Sequence, residues 1–255
     1  MKKSFLILCL TVLPLWAAET EERFVENSFN VNDGVELVLD NHKGEIHIAT
    51  AQVSTIEVKA RIYTPAENRD SLDFVDVRMS QSGNRVRVSV DYDNKGLKGA
   101  MDGVLGKHNE LPAVDFHVVM PDNGSLKLES HKATIDIDAP SGTVDLESHK
   151  GTGRIRNVRS DLRLETHKGK FDVEILNLGD VNVETHKGDV TLKISGAQDF
   201  DVRGESHKGH FVFEGYDIPV ERKDGEIRVN YSQGSGTHRI DLETHKGEIR
   251  LEFLN

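Results

Sequence analysis

The chain has 255 residues, a formal net charge of −11, one cysteine and 6% aromatic residues. An acidic balance of this size argues against nucleic acid or anionic lipid as a general partner. One cysteine, Cys9, excludes a disulfide framework, and 36% hydrophobic residues are few for a globular enzyme but enough for a repeat protein with a narrow interior.

At the N-terminus, Lys2 and Lys3 precede an apolar run from Phe5 to Trp16, followed by Ala17, Ala18 and the acidic Glu19. This pattern predicts a secretory signal peptide over residues 1–18, because the run is too short to span a bilayer. Cleavage after Ala17 is favoured over cleavage after Ala18, since it places Leu15 rather than Trp16 three positions back. The domain expected after the signal peptide, 19–255, has no cysteine and no further apolar run, hence no membrane span, and loss of Lys2 and Lys3 moves the charge from −11 to −13. The expected location is the periplasm or the cell surface.

Residues 24–63 alternate apolar and polar positions through Phe29, Val31, Val35, Leu37, Leu39, Ile46, Ile48, Ile56 and Val58. That is the period of half-buried strands and predicts a first coil at one end of the molecule. Across 64–125, Phe74 to Met79 and Val86 to Tyr92 flank Gln81-Ser82-Gly83-Asn84 as a hairpin. A glycine-rich segment, 93–110, follows with glycines at 96, 99, 103 and 106. Its apolar residues Leu97, Ala100, Met101, Val104 and Leu105 have helical spacing, but each glycine weakens a helix by roughly 1 kcal/mol, so a loop is expected.

From 126 to 255 one motif, E-[ST]-H-K-G, organises the chain. Its histidines are His131, His149, His167, His186, His207 and His245, with a weaker copy at His42. Apolar residues stand five and three positions before each histidine, as in Leu162 and Leu164, and resume after the glycine, as in Phe171 and Val173; only Gly204, beside Val202, breaks the leading set. Period two on both sides of a tight corner reads strand, corner, strand. Corners recur about every 19 residues, with second turns between them, which defines an all-β solenoid of two-strand coils sharing one core. Glu221 to Ile227 reads as a degenerate further unit, with Gly225 at its corner. A single domain with an N-terminal coil, an inserted hairpin and loop, and regular coils is therefore predicted.

The pattern F-x-V-x-x-G-x-x-L-x-L-x-N-x-x-G-x-I-x-I over Phe29 to Ile48, the insertion, the strand ending in Val118-Val119-Met120-Pro121 and the coils after it resemble the bacterial putative-adhesin domain family. That resemblance covers almost all of 24–255. It implies a head-domain-like β-solenoid in an exported or membrane-attached protein, with no catalytic residues. The H-K corner departs from the small polar corners usual in the family, so its role has to be argued from the residues themselves.

If Leu162, Leu164 and Thr166 point inward, then Arg163, Glu165 and His167 point outward. Stacking in register then builds a Glu column beside a His column, with equivalent residues about 4.8 Å apart. Three readings stand together: a solvated polar edge, a metal surface, and an anion or glycan surface using the Lys and His columns. For the metal reading, His131, His149, His167, His186, His207 and His245 with Glu147, Glu165 and Glu184 are candidate ligands for divalent Zn, Cu or Ni. One Glu-x-His pair supplies only two ligands, and each has a lysine next to it. No resident cofactor is otherwise indicated. Ser-His pairs at 130, 148 and 206 are adjacent on a strand and face opposite ways, so they do not make a nucleophile and base. The expected function is therefore a non-enzymatic adhesin-like or structural protein of the cell envelope, meeting an envelope protein or glycan. The alternative is a periplasmic metal-interacting protein. Finally, the sequence ends inside a coil strand, which would expose Leu251 and Phe253 at an open end and predicts a homodimer through the C-terminal coil.

Overall fold

In the computed structural model, residues 20–93, 111–223 and 225–254 are described. The predicted signal peptide and residues 94–110 of the glycine-rich segment lie outside them. In chain order come β1 (Thr20–Asn30), β2 (Glu36–Ala51), β3 (Thr55–Pro65), a 3-10 segment over Ala66–Phe74, β4 (Val75–Ser82), β5 (Arg85–Tyr92) and β6 (Ala113–Pro121). Three long strands then bend through their H-K corners without a break: β7 (Ser125–Asp138), β8 (Val144–Val158) and β9 (Leu162–Ile175). In later copies the corner interrupts the strand, giving β10 (Val181–Thr185) with β11 (Asp189–Ser195) and β12 (Phe200–Ser206) with β13 (His210–Glu214). A hairpin, β14 (Val220–Lys223) and β15 (Glu226–Gln233), precedes the last pair, β16 (His238–Thr244) and β17 (Glu248–Leu254).

The protein is all-β, one continuous 17-stranded sheet wound into stacked coils. Parallel pairing runs β2–β7–β8–β9, with Leu126 opposite Val144 and Val144 opposite Leu162. It continues from β9 to β10 and β11. Alternation sets the faces: Leu162, Leu164 and Thr166 are buried, whereas Arg163 is exposed and Glu165 and His167 are partly so. Inward Leu, Ile and Val from every coil merge into one core around the fully buried Phe116, Phe171 and Phe200. Each such side chain contributes about 1.5–3 kcal/mol of burial.

Two glycines interrupt the inward apolar set, and a phenylalanine fills each gap. A Cβ at Gly153 would press on the Phe171 ring at 2.8 Å, and one at Gly204 would meet the Phe211 ring at 3.2 Å. The break at Gly204 is thus part of the packing.

Coil order departs from chain order. β16 lies between β10 and β12, pairing Val181 with Ile240 on one edge and Val202 with Ile240 on the other. β17 likewise lies between β11 and β13. The expectation that the last coil ends the stack is therefore corrected: Leu251 is 0% and Phe253 6% exposed, and the open end on which C-terminal dimerisation was predicated does not exist. Nor is Gly225 a coil corner. Lys223 pairs with Glu226 antiparallel across a turn containing Gly225 at φ +84°, and β15 runs antiparallel along β12.

The opposite end is corrected in the same way. β2 is not the terminal coil, because β5 and β6 pair parallel beyond it and form the two halves of one more coil. Antiparallel β3 then covers β6, β1 covers β3, and β4 covers β5. This end of the stack is thus covered over both halves of its coil by antiparallel strands, whereas at the other end β15 covers β12 and β13 pairs only with β17.

Candidate functional site

The repeated corner is built from the backbone outward. Coil-to-coil hydrogen bonds pass straight through it: His186 N donates to Thr166 O at 3.0 Å, Lys187 N to His167 O at 2.9 Å, and Lys246 N to His186 O at 3.0 Å. Such close passage excludes a side chain after the lysine in several copies, although Ala133 fits at the first strong one. A Cβ at Gly169 would collide with the Gly151 carbonyl oxygen, and one at Gly247 with that of Gly188.

The hydroxyl column faces inward and closes the turn at three copies, while Ser130 Oγ bonds Ser148 Oγ at 3.2 Å and Thr166 Oγ1 is buried with no partner among the described residues. Gly188 N donates to Thr185 Oγ1 at 2.8 Å, Gly209 N to Ser206 Oγ at 2.8 Å and Gly247 N to Thr244 Oγ1 at 3.0 Å. Burial of these side chains is therefore matched by satisfied backbone donors. At the weak copy Asn41 takes the place, its Nδ2 donating to Val114 O at 2.9 Å.

Outward stand three parallel columns. The acidic one is Asp40, Glu129, Glu147, Glu165, Glu184, Glu243 and Glu205 in spatial order, with Glu184 in register with both Glu165 and Glu243. Beside it seven imidazoles form an unbroken stack. Centroid separations are 4.7 Å for His42 and His131, 4.7 Å for His131 and His149, 4.8 Å for His149 and His167, and 4.6 Å for His167 and His186. The stack continues at 4.7 Å to His245 and 5.3 Å to His207. The third column is lysine: Lys43, Lys132, Lys150, Lys168, Lys187, Lys246 and Lys208.

Burial works against the charged form at His42, His131, His167 and His245. Nδ1 of His149, His167, His186 and His245 is buried without a hydrogen-bond partner, and an imidazolium must carry a proton on both nitrogens. Burial accordingly pushes His131, His167 and His245 below the ordinary histidine value, reinforced by neighbouring imidazoles and lysines. His42 is lowered by burial too, against the pull of Asp40. In the acidic column, burial and then the flanking Glu165 and Glu243 raise Glu184, and burial and then Glu129 raise Asp40. Since an orphaned buried N–H is costlier than an orphaned lone pair, the favoured tautomer puts the single proton on Nε2, which faces solvent.

All six strong-copy histidines proposed as ligands therefore lie in one column, and Glu147, Glu165 and Glu184 in the next. What the structure does not do is converge them. The rings lie one above another, with planes between 1° and 36° apart, rather than around a common point. Among the described residues no group of three or more His, Cys, Asp or Glu side chains is placed to hold a metal ion.

Sequence reasoning missed two features. Tyr92 closes one end of the ladder, its ring edge-on to His42 at 5.6 Å, and it borders a shallow depression of about 370 Å³ over Asp40, Glu129 and His131. Burial raises its hydroxyl to about 12. His47 and His117 stack separately at 5.0 Å, with Glu45 3.5 Å and Asp136 3.8 Å from His47. The alternation Ile46-His47-Ile48 signalled an outward histidine but not its partner.

Stacked coils, repeated polar corners and antiparallel caps define a β-solenoid-like repeat protein. The chain belongs to the Toastrack DUF4097 family, whose model matches residues 35–252. Its fold is similar to the crystal structure of a putative cell adhesion protein from Clostridium sporogenes, with 13% identity, a TM-score of 0.53 and coverage of 92% of this chain and 100% of that one. A putative adhesin from Bacteroides fragilis aligns at 10% identity and a TM-score of 0.38, covering 90% of this chain and 97% of that one. No curated protein matches the sequence.

Proposed function

We propose that the chain is an exported, non-enzymatic solenoid of the cell envelope that presents its ladders as an adhesin-like binding or structural surface. The observation that carries this reading is the uniformity of the outward columns: the same Glu, His and Lys recur coil after coil, as suits an extended repetitive partner. A catalytic centre needs unlike groups converging on one reacting atom. Family membership and the similarity to a putative cell adhesion protein support the reading, as does the N-terminal pattern of Lys2, Lys3 and the apolar run to Trp16. No helix among the described residues is long and apolar enough to cross a membrane.

Fractionation of cells expressing the full chain, with mass analysis of the isolated product, tests it. The expected product starts at Ala18 and appears in the periplasm or on the surface. An unprocessed chain retained in the cytoplasm would overturn the proposal.

A further inference from the structure

We infer that the Lys and His columns form a linear binding track for an acidic polysaccharide carrying one carboxylate per sugar, a polyuronate. Three observations combine. First, Lys132, Lys150, Lys168, Lys187, Lys246 and Lys208 are all exposed and, among the described residues, none makes an ion pair with a carboxylate. That is unexpected in a chain with 43 acidic residues, where Lys127 reaches Glu129 at 3.3 Å and Arg163 reaches Glu165 at 3.2 Å. The result is a straight row of single positive charges, one per coil, at about 4.8 Å.

Second, the neighbouring imidazoles line up one per coil, 4.6–4.8 Å apart from His149 to His245, with Nδ1 buried at His149, His167, His186 and His245. They leave one ring nitrogen per coil, Nε2, to meet a ligand. Third, the acidic column beyond them offers one acceptor per coil. Cation, imidazole and carboxylate thus repeat together along one line.

A polyuronate supplies the complement. Its carboxylates face the ammonium row singly, as suits lysine, a point charge, rather than the bidentate fork of arginine. Its hydroxyls can accept from Nε2–H and donate to the glutamates. Successive rings of an extended uronate chain turn their carboxylates to different sides, so only every second or third one faces the lysine row, and the weak contacts that recur along the coils add through multivalency. Polyphosphate has no hydroxyls for the outer two columns. Duplex DNA rises about 3.4 Å per phosphate on each strand and winds away from a straight track. The net charge of −11 opposes any anion at long range, but beyond a Debye length of about 8 Å at physiological salt that field is screened, while the lysine row acts at contact.

The basic character is strongest over the coils of Lys132, Lys150 and Lys168, where the residues just past the corner are Thr134, Thr152 and Lys170 rather than carboxylates. That patch is the natural target for substitution.

This inference rests on the envelope reading, since such polymers lie outside the cytoplasm. Calorimetric titration of the mature protein with oligogalacturonates of two to eight residues tests it. Affinity should climb with length, and the fully methyl-esterified oligomers should not bind. Lys132→Gln/Lys150→Gln/Lys168→Gln should weaken binding at least tenfold, whereas Lys59→Gln, exposed on β3, should leave it unchanged. Failure of every uronate length, equal binding of the methyl esters, equal affinity of the triple variant, or equal affinity for inorganic polyphosphate would each overturn the inference. An exported protein that binds no polyuronate would sink this inference and leave the envelope reading intact; retention in the cytoplasm would sink the envelope reading itself.

Discussion

His186 stacks on His245, with ring centroids 4.7 Å apart and planes 15° apart, although His207 is the next copy along the chain. The chain lays down the coil of β12 and β13, turns back through the β14–β15 hairpin, and fills the slot it skipped. The last-made coil is therefore an interior slab with a neighbour on each edge. Its pairings, such as Glu184 with Glu243, join residues far apart in sequence, so this part of the stack closes through non-local contacts, which form slowly.

Phe253 shows what that slab holds. Its ring lies 4.7 Å from Phe200 and 5.0 Å from Tyr216 and is 6% exposed. Phe253→Ala should cost about 3–5 kcal/mol through lost burial and a residual cavity. Leu254→Ala, at a side chain 47% exposed, should stay within about 0.5 kcal/mol. Urea denaturation of both compares them directly; equal midpoints would mean that the final strand is not interior.

A glycine in the corner is required by its neighbour and not by its own dihedral. Gly169 has no positive φ, yet a Cβ there would strike the Gly151 carbonyl oxygen. Gly169→Ala should therefore destabilise by about 1–3 kcal/mol or more, as overpacking does, even though alanine is ordinarily the better strand residue. Gly34, at φ +70° with open space around it, isolates the opposite case, where the penalty comes from the backbone alone. Thermal melts should place Gly169→Ala well below Gly34→Ala.

Inner and outer faces can be tested one residue apart. Leu164 is fully buried, so Leu164→Asp places an unpaired charge between coils and should abolish folding or nearly so. Arg163 makes only exposed ion pairs, at 3.8 Å to Asp145 and 3.2 Å to Glu165, contacts worth about 0–1 kcal/mol. Arg163→Gln should melt within a few degrees of the parent. A shared melting temperature would show the faces to be misassigned.

How much of this was legible in the sequence follows from which forces are local. Strand faces were legible because period two is a property of neighbouring residues, and Leu162, Arg163, Leu164 and Glu165 behave as their alternation requires. The columns were legible because every copy repeats the same corner. Coil order was not, because β10 and β12 present the same apolar-x-apolar-Glu pattern to β16 or nearly so; nothing in a shared motif says which copy sits beside which. The hairpin at Gly225 carried a signal that was outweighed. Asp224-Gly225 between apolar alternations is a strong two-residue turn sequence, but the leading Glu221 resembled a corner. The fate of the terminal coils was hidden for the same reason: caps are made by antiparallel strands whose partners are decided only in three dimensions.

Asp199 anchors a turn of the returning segment. Its carboxylate accepts from Ser235 Oγ at 2.6 Å, Thr237 N at 3.0 Å and Thr237 Oγ1 at 3.1 Å. These bonds, the one from Ser235 first, lower its pKa from 3.8 to about 2. A depressed carboxylate contributes stability above the unfolded value that is lost as pH falls through the folded one. Asp199→Asn should thus lower the melting temperature at pH 6, with the difference shrinking as pH falls from about 4 towards 2. A pH-independent difference would assign the role of Asp199 to packing rather than charge.

The imidazole ladder sets the behaviour at milder acidity. His131, His167 and His245 are held below 6.5 first by burial and then by adjacent imidazoles and lysines. A base with a lowered folded pKa binds protons more readily when unfolded, so its contribution is intact above 6.5 and declines as pH falls from 6.5 through the depressed values. The groups facing the ladder act in opposite senses: the lysine row deepens the effect, while the acidic column attracts protons. Asp40 and Glu184 have raised values, so their protonation favours the folded state only nearer the carboxylate range. Stability should therefore fall between about pH 6.5 and pH 5, where unfolded histidines charge and carboxylates are still ionised. His131→Gln/His167→Gln/His245→Gln should flatten that slope. NMR titration supplies the independent measure: with rings 4.6–4.8 Å apart, charging one imidazole opposes charging the next, so the transitions should be broad and coupled. Sharp curves of unit slope near 6.5, with no loss of stability at pH 5, would show that the ladder is a stack without electrostatic communication.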